Sequence, residues 1–341
     1  MKLYKKIVTL AFVGVAMLLN VQIPTLASTQ TILGSDVTQY IASRSNTVSI
    51  GVYDGYTGKT YTYNPSKTYQ TASIVKISLL ADVLYQRIPL TNNENSLLTR
   101  MIENSDNHAA STIWGQLGSD KNVQSFFRNA GMTNTIAGTS GLWGFTTTTV
   151  LDQLTMMKYF AYHNAFLNDA QRAYGLNLMR NVELDQRWGT GYGLPSGVSI
   201  ALKNGWSNTN QPYNWRINSV GYINGQGKNY VISVLTINNR TESYGLDTIN
   251  TISKLVWNEM PQHVHVIISN TNFRQAKSLV NEFEKRGFTC RGVNLKTYGK
   301  NEVPKDNDPY QFVIDTTLDS ATQLVIELKT RGYDKTYGEA I

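Results

Sequence analysis

The sequence has 341 residues, 41% of them apolar and 16% charged, with 20 Tyr and 6 Trp. This composition excludes a disordered or collagen-like chain and supplies core enough for one large domain with an appendage, or for two domains. The formal charge of +7 contains no run of Lys or Arg that would make a nucleic-acid patch, so nucleic acid is excluded as a partner.

At the N-terminus, Lys2, Lys5 and Lys6 precede an apolar run from Ile7 to Leu19 and the small-residue site Thr25-Leu26-Ala27. This is the layout of a secretory signal over residues 1–27, cleaved after Ala27. The run is shorter than the roughly 20 residues of a membrane-spanning helix, and charged residues or Asn interrupt every later apolar stretch. The expected location is therefore outside the cell or at its wall. Cys290 is the only cysteine, so no intramolecular disulfide can form.

Asp36 to Ser43 suits a short helix, and Thr47 to Asp54 with Lys59 to Asn64 reads as a hairpin. From Ala72 to Tyr85, apolar residues recur with helical spacing and Ser73 stands where the helix begins. Helical patterns follow at 94–104, 108–117, 121–130 and 148–162. Strand character returns at 198–203, 215–223 and 230–237, the last two joined by Asn224-Gly225-Gln226-Gly227, and a helix over 247–259 closes the block. Strands, then helices, then strands give an α+β fold: an antiparallel sheet with an inserted helical subdomain, over residues 28–260.

Met260-Pro261 marks a boundary, and residues 261–341 contain an internal repeat at a shift of 45 positions. Leu279-Val280 matches Leu324-Val325, Glu282 matches Glu327, and Arg286-Gly287-Phe288 matches Arg331-Gly332-Tyr333. Each copy reads as strand, amphipathic helix and short strand, so the tail is predicted to be a small tandem βαβ, ferredoxin-like domain.

Ser73-Ile74-Val75-Lys76 places a hydroxyl at a helix start and an amine one turn later on the same face. A lysine can deprotonate a serine if burial and a second cation, here Lys203, lower its pKa. Ser-x-x-Lys also arises from a capping serine beside a solvated lysine, so the other elements decide. Asn104-Ser105-Asp106-Asn107 lies between two helical patterns, and Leu202-Lys203-Asn204-Gly205-Trp206 ends a strand. With these in order, the chain from about Asp36 to Glu259 resembles the penicillin-recognising serine enzymes, including class A β-lactamases, whose signatures are Ser-x-x-Lys, Ser-Asp-Asn and Lys-Thr-Gly.

The resemblance implies that Ser73 forms an acyl-enzyme, that Lys76 takes its proton and that Ser105 relays a proton to the leaving nitrogen. Asn107, Lys203, Asn204, Gly205 and Trp206 would contact substrate, with the amides of Ser73 and Trp206 as oxyanion donors. Arg216, on the next strand, is a further candidate for a substrate carboxylate. Two departures stand out. No Asp or Glu occurs between Lys121 and Leu151, where class A enzymes carry the glutamate that activates the deacylating water, and Asn204 replaces the signature threonine.

The tail resembles SPOR-type domains, which implies glycan binding. His108, His163, His263 and His265 lack a metal-ligand pattern and no phosphate-binding glycine loop occurs, so neither metal nor cofactor is expected. The reading is an exported serine hydrolase acting on β-lactams or D-Ala-D-Ala peptides of peptidoglycan. Its rivals are a true β-lactamase and a non-catalytic wall-binding protein. The sequence sets no oligomeric state.

Overall fold

The first helix, α1 (Ser35–Ala42), leads into β1 (Thr47–Asp54), which turns back antiparallel into β2 (Thr60–Tyr63). This is a computed structural model that describes residues 32–86, 89–208, 214–296 and 305–341. The signal segment expected at 1–27 lies outside the described residues.

A two-residue strand, β3 (Tyr69–Gln70), precedes a 3-10 turn, Ala72–Ile74, that runs directly into α2 (Val75–Gln86). Every residue from Val75 to Leu84 is buried, which fixes α2 as the axis of the helical part. Around it lie α3 (Asn92–Glu103), α4 (Asn107–Gln116), α5 (Ser119–Asn129), α6 (Val150–Ala161) and α7 (Asp169–Arg180). Between α5 and α6, β4 (Thr147–Thr148) pairs with β3.

Sequence periodicity overlooks α7, although its start carries a capping box in which Asn168 and Gln171 cap each other. Gly175 interrupts its apolar pattern for a packing reason. A Cβ there would lie 2.3 Å from Phe160 Cε1, so glycine lets α7 approach α6 closely.

The chain then forms β5 (Ser199–Ser207), β6 (Trp215–Gly225), β7 (Lys228–Asn239) and α8 (Glu242–Glu259). The resulting sheet is antiparallel throughout, in the order β2-β1-β7-β6-β5. Side chains alternate between its two faces. Val220, Tyr222, Val231 and Leu235 pack on the helical subdomain. Ile217, Ile223, Ile232 and Val234 pack on α1 and α8. The α+β class with a helical insertion is therefore realised.

The tail comprises β8 (His263–Asn272), α9 (Phe273–Lys285), β9 (Thr289–Asn294), β10 (Pro309–Thr317), α10 (Leu318–Thr330) and β11 (Thr336–Ala340). These strands form a separate antiparallel sheet, β11-β8-β10-β9, over a core that includes Val266, Ile268, Phe283, Phe312, Ile314 and Leu328. The 45-residue repeat has a direct physical expression. Arg286 donates to both oxygens of Glu327 at 2.7 and 2.8 Å, and Arg331 donates to both oxygens of Glu282 at 2.8 and 2.7 Å. Each copy thus pairs its arginine with the glutamate of the other.

The tail meets the β6–β7 turn through backbone groups: His263 N donates to Gly227 O at 2.7 Å, and Gly227 N donates to Ile341 O at 3.0 Å. His263 is buried there, 3.9 Å from the Asp54 carboxylate and 4.5 Å from the Tyr56 ring centroid. Burial lowers its pKa, against the opposing pull of Asp54 and Asp315.

Candidate active site

Three segments converge beside the N-terminus of α2. The first is the turn carrying Ser73. Its predecessor Ala72 holds φ at +46°, a left-handed value that is rare for a residue with a Cβ and persists where the surroundings enforce it. The enforcement is visible: Asn218 on β6 donates to Gln70 O at 2.8 Å and to Thr71 O at 3.2 Å. Gly205 on β5 closes in from the same side. A Cβ there would lie 2.7 Å from Ser73 N and from Thr71 O, so only glycine permits this approach.

The second segment is the α3–α4 turn. Asp106 caps α4 by accepting from Ala109 N at 3.0 Å, which lowers its pKa. Ser105, just before it, has φ of +55°. Lys76, fully buried, donates to Ser105 O at 2.6 Å, to Asn107 Oδ1 at 2.9 Å and to Ser105 Oγ at 3.1 Å. An ammonium has three protons, and all three are engaged. The Ser73 hydroxyl has no hydrogen-bond partner among the described residues, so it is not yet bonded to Lys76. Burial is the chief cause that lowers the Lys76 pKa to about 7, with Asp106 pulling upward.

The third segment is β5. Lys203 is fully buried, donates to Asn204 O at 3.2 Å, and is pushed well below the usual lysine range by burial first and by the Lys76 charge second. The expectation that Lys203 acts as a fixed cation on Lys76 is thereby revised: desolvation is the first cause for both amines, and it is Lys76 that depresses Lys203. Arg216 faces Ser207 in register. Among the described residues its Nε and Nη1 are buried without a partner, and burial lowers its pKa, which leaves a guanidinium suited to an anion.

Asn204 is the main correction. Neighbours on a strand point to opposite faces, and Asn204 shares its face with its cross-strand partner Ser219, away from Lys203. Its amide donates to Gln186 O at 2.7 Å and to Trp188 O at 2.8 Å. The side chain expected to meet a substrate carboxylate is committed to the backbone of the 183–188 loop. Trp206 points the same way and meets Trp188 edge to face, with ring centroids 5.8 Å apart.

Sequence reasoning missed Trp143. It lies in the segment 138–149 that lacks any carboxylate, and its ring centroid sits 4.8 Å from Lys76 Nζ while its Nε1 donates to Ser111 Oγ at 3.0 Å. Asn218 and Gln186 were missed too, because neither belongs to a motif. Both are buried polar residues; Asn218 lies on a strand already identified, whereas Gln186 lies in a 3-10 turn, Leu184–Gln186, in a stretch to which the sequence assigned no element.

The sequence profile of the beta-lactamase enzyme family matches residues 90–260. The chain belongs to this family. The matched stretch contains Ser105, Asn107, Lys203 and Gly205; Ser73 and Lys76 precede it. Among curated relatives, a protein named "Putative lipoprotein LppW", known from Mycobacterium tuberculosis and Mycobacterium bovis, is 26% identical over 187 residues. The match covers 50% of this chain and spans only 57% of the relative's length.

Solved members of the beta-lactamase fold confirm the architecture. The TLA-1 extended-spectrum β-lactamase superposes with a TM-score of 0.60 at 22% identity, covering 67% of this chain and 97% of its own. A class A β-lactamase from Mycobacterium abscessus gives 0.56 at 18% identity, covering 65% and 97%. A point mutant of PBP-A, solved as an acyl-enzyme complex with penicillin G, gives 0.56 at 18% identity, covering 65% and 92%. Among the described residues no helix is long and apolar enough to cross a membrane.

Proposed function

We propose that this chain is an exported acyl-serine enzyme that attacks β-lactams or the D-Ala-D-Ala peptides of peptidoglycan, with Ser73 as nucleophile and Lys76 as base. The observation that carries the reading is the buried Lys76 amine, three residues along the chain from Ser73, with its pKa lowered to about 7 and bonded to both Ser105 and Asn107. Lys76 Nζ in its neutral form takes the Ser73 proton while Oγ bonds to the substrate carbonyl carbon. The resulting oxyanion is held by the amides of Ser73 and Trp206. Ser105 passes its proton to the leaving nitrogen and regains one from the protonated Lys76, 3.1 Å away, as the C–N bond breaks and an ester remains on Ser73. Arg216 and Lys203 supply positive charge for a substrate carboxylate, and that anion in turn favours the charged form of Lys203.

Deacylation is slow in this reading. The segment 138–149 supplies no carboxylate to activate water, and Trp143 covers Lys76 instead. The leader-like N-terminus supports export. On the tail sheet, Tyr337 at the β11 edge, 43% exposed, and Arg291 on β9, beside Asp315, support a role in holding glycan.

A non-catalytic wall-binding protein is the second reading, favoured by the three acceptors that saturate Lys76. Intact-mass spectrometry of wild-type and Ser73→Ala protein incubated with benzylpenicillin tests both. A persistent adduct on wild type alone supports the slow acyl-enzyme. A transient adduct with hydrolysed drug makes the protein a β-lactamase, and no adduct with any β-lactam or peptide moves the assignment to the non-catalytic reading.

A further inference from the structure

Asn204 and Gln186 form a bracket between the two walls of the cleft. Asn204 Nδ2 fixes the 183–188 loop to β5 through Gln186 O and Trp188 O, at 2.7 and 2.8 Å. That loop is fixed in turn to the end of α3. Gln186 Nε2 donates to Asn104 O at 3.2 Å, Glu183 N donates to Glu103 O at 3.0 Å, and Asn104 Nδ2 donates to Glu183 Oε1. The next residue after Asn104 is Ser105, whose left-handed φ of +55° is a conformation the surroundings must hold. Asn204 and Gln186 are both buried, so their hydrogen bonds are not exchanged for water.

We propose that Asn204 and Gln186 are positioning residues that set the distance of Ser105 from Lys76 by tying the Ser105 turn to β5. This rests on the acyl-enzyme reading and deepens it: the residue that departs from the family signature has exchanged a place at the substrate for a place in the scaffold. A threonine at 204 has one hydroxyl proton and cannot reach both carbonyls. Without the bracket, Ser105 leaves its hydrogen bonds with Lys76, and proton delivery slows while substrate binding is retained.

The test uses the full mature protein and three variants, Asn204→Thr, Gln186→Met and the double variant, with benzylpenicillin as the probe. Gln186→Met removes the Nε2 donor but keeps the backbone carbonyl that Asn204 holds, so it perturbs the loop less than Asn204→Thr. The maximal rate of adduct formation is expected to fall by about tenfold to a hundredfold in each single variant, the scale of a misplacement near 1 Å. The half-saturating penicillin concentration should change little, and the double variant should be no slower than the worse single one, since both act through one bracket. Amide hydrogen exchange at 103–107 should accelerate in all three, a readout that needs no acylation.

Unchanged exchange at 103–107 overturns the bracket even if no adduct ever forms on the wild type. A loss confined to half-saturation overturns it in favour of a direct substrate contact. Additive rate losses overturn the shared route.

Discussion

The near-neutral Lys76 makes a quantitative prediction about acylation. With a midpoint of about 7, half of the amine is neutral at pH 7, and the neutral fraction falls ~tenfold for each unit below that. A solvated lysine titrating near ~10.4 would leave only ~0.04% neutral at pH 7, so burial enriches the basic form by roughly a thousandfold. The rate of adduct formation with benzylpenicillin, sampled by intact mass between pH 5 and 9, should therefore level off above pH 8 and fall ~100-fold by pH 5.

Asp106 raises the Lys76 pKa, whereas asparagine at that position still caps α4. Asp106→Asn should consequently move the midpoint below 7 and leave the plateau where Ser105 geometry is preserved. A wild-type midpoint near 10, or an Asp106→Asn midpoint that rises, refutes the argument that desolvation and one carboxylate set the base.

Gly205→Ala should abolish acylation and cost about 1–3 kcal/mol of stability, because the added Cβ meets the backbone of Thr71, Ser73 and Ile74, none of which can yield as a side chain would. Urea denaturation and the adduct assay measure the two effects separately, and a normally acylating alanine variant would count against the strand–turn contact. His263 has its folded pKa below the value of about 6.5 in the unfolded chain, so the unfolded state binds more protons as pH falls. Stability contributed there is present above pH ~6.5 and lost on acidification; His263→Gln should flatten the urea midpoint between pH 6.5 and 5, and an unchanged slope would place the titration elsewhere.

Much of this molecule is readable from its sequence, for reasons that differ by element. The strands 47–54 and 215–223 carry unbroken apolar or alternating runs, and their observed limits lie within two residues of those expected. In α7, by contrast, Gly175 and a polar surface mask the period, and only the capping box advertises the start. At the site, the motifs bring Ser73, Lys76, Ser105, Asn107, Lys203 and Gly205 to one place, because local spacing on helix and strand fixes which face each occupies. Asn204 was misjudged since a signature describes residue order, whereas alternation along β5 decides direction. Trp143, Asn218 and Gln186 act across the fold from distant parts of the chain, and no local pattern encodes such contacts.

The crossed arginine–glutamate pairs of the tail close a ring of alternating charge, Arg286 to Glu327 to Arg331 to Glu282 and back to Arg286 at 3.7 Å. Neither half can neutralise itself with its own best partner, since each bidentate bond crosses from one copy to the other. The arrangement is that of a two-fold dimer interface written into a single chain, where a lesion in one copy leaves the arginine of the other with only its own i,i+4 glutamate, at 3.7 or 3.3 Å. The C-terminal ends of α9 and α10 are thus tied to each other by pairs that cross from one copy of the repeat to the other.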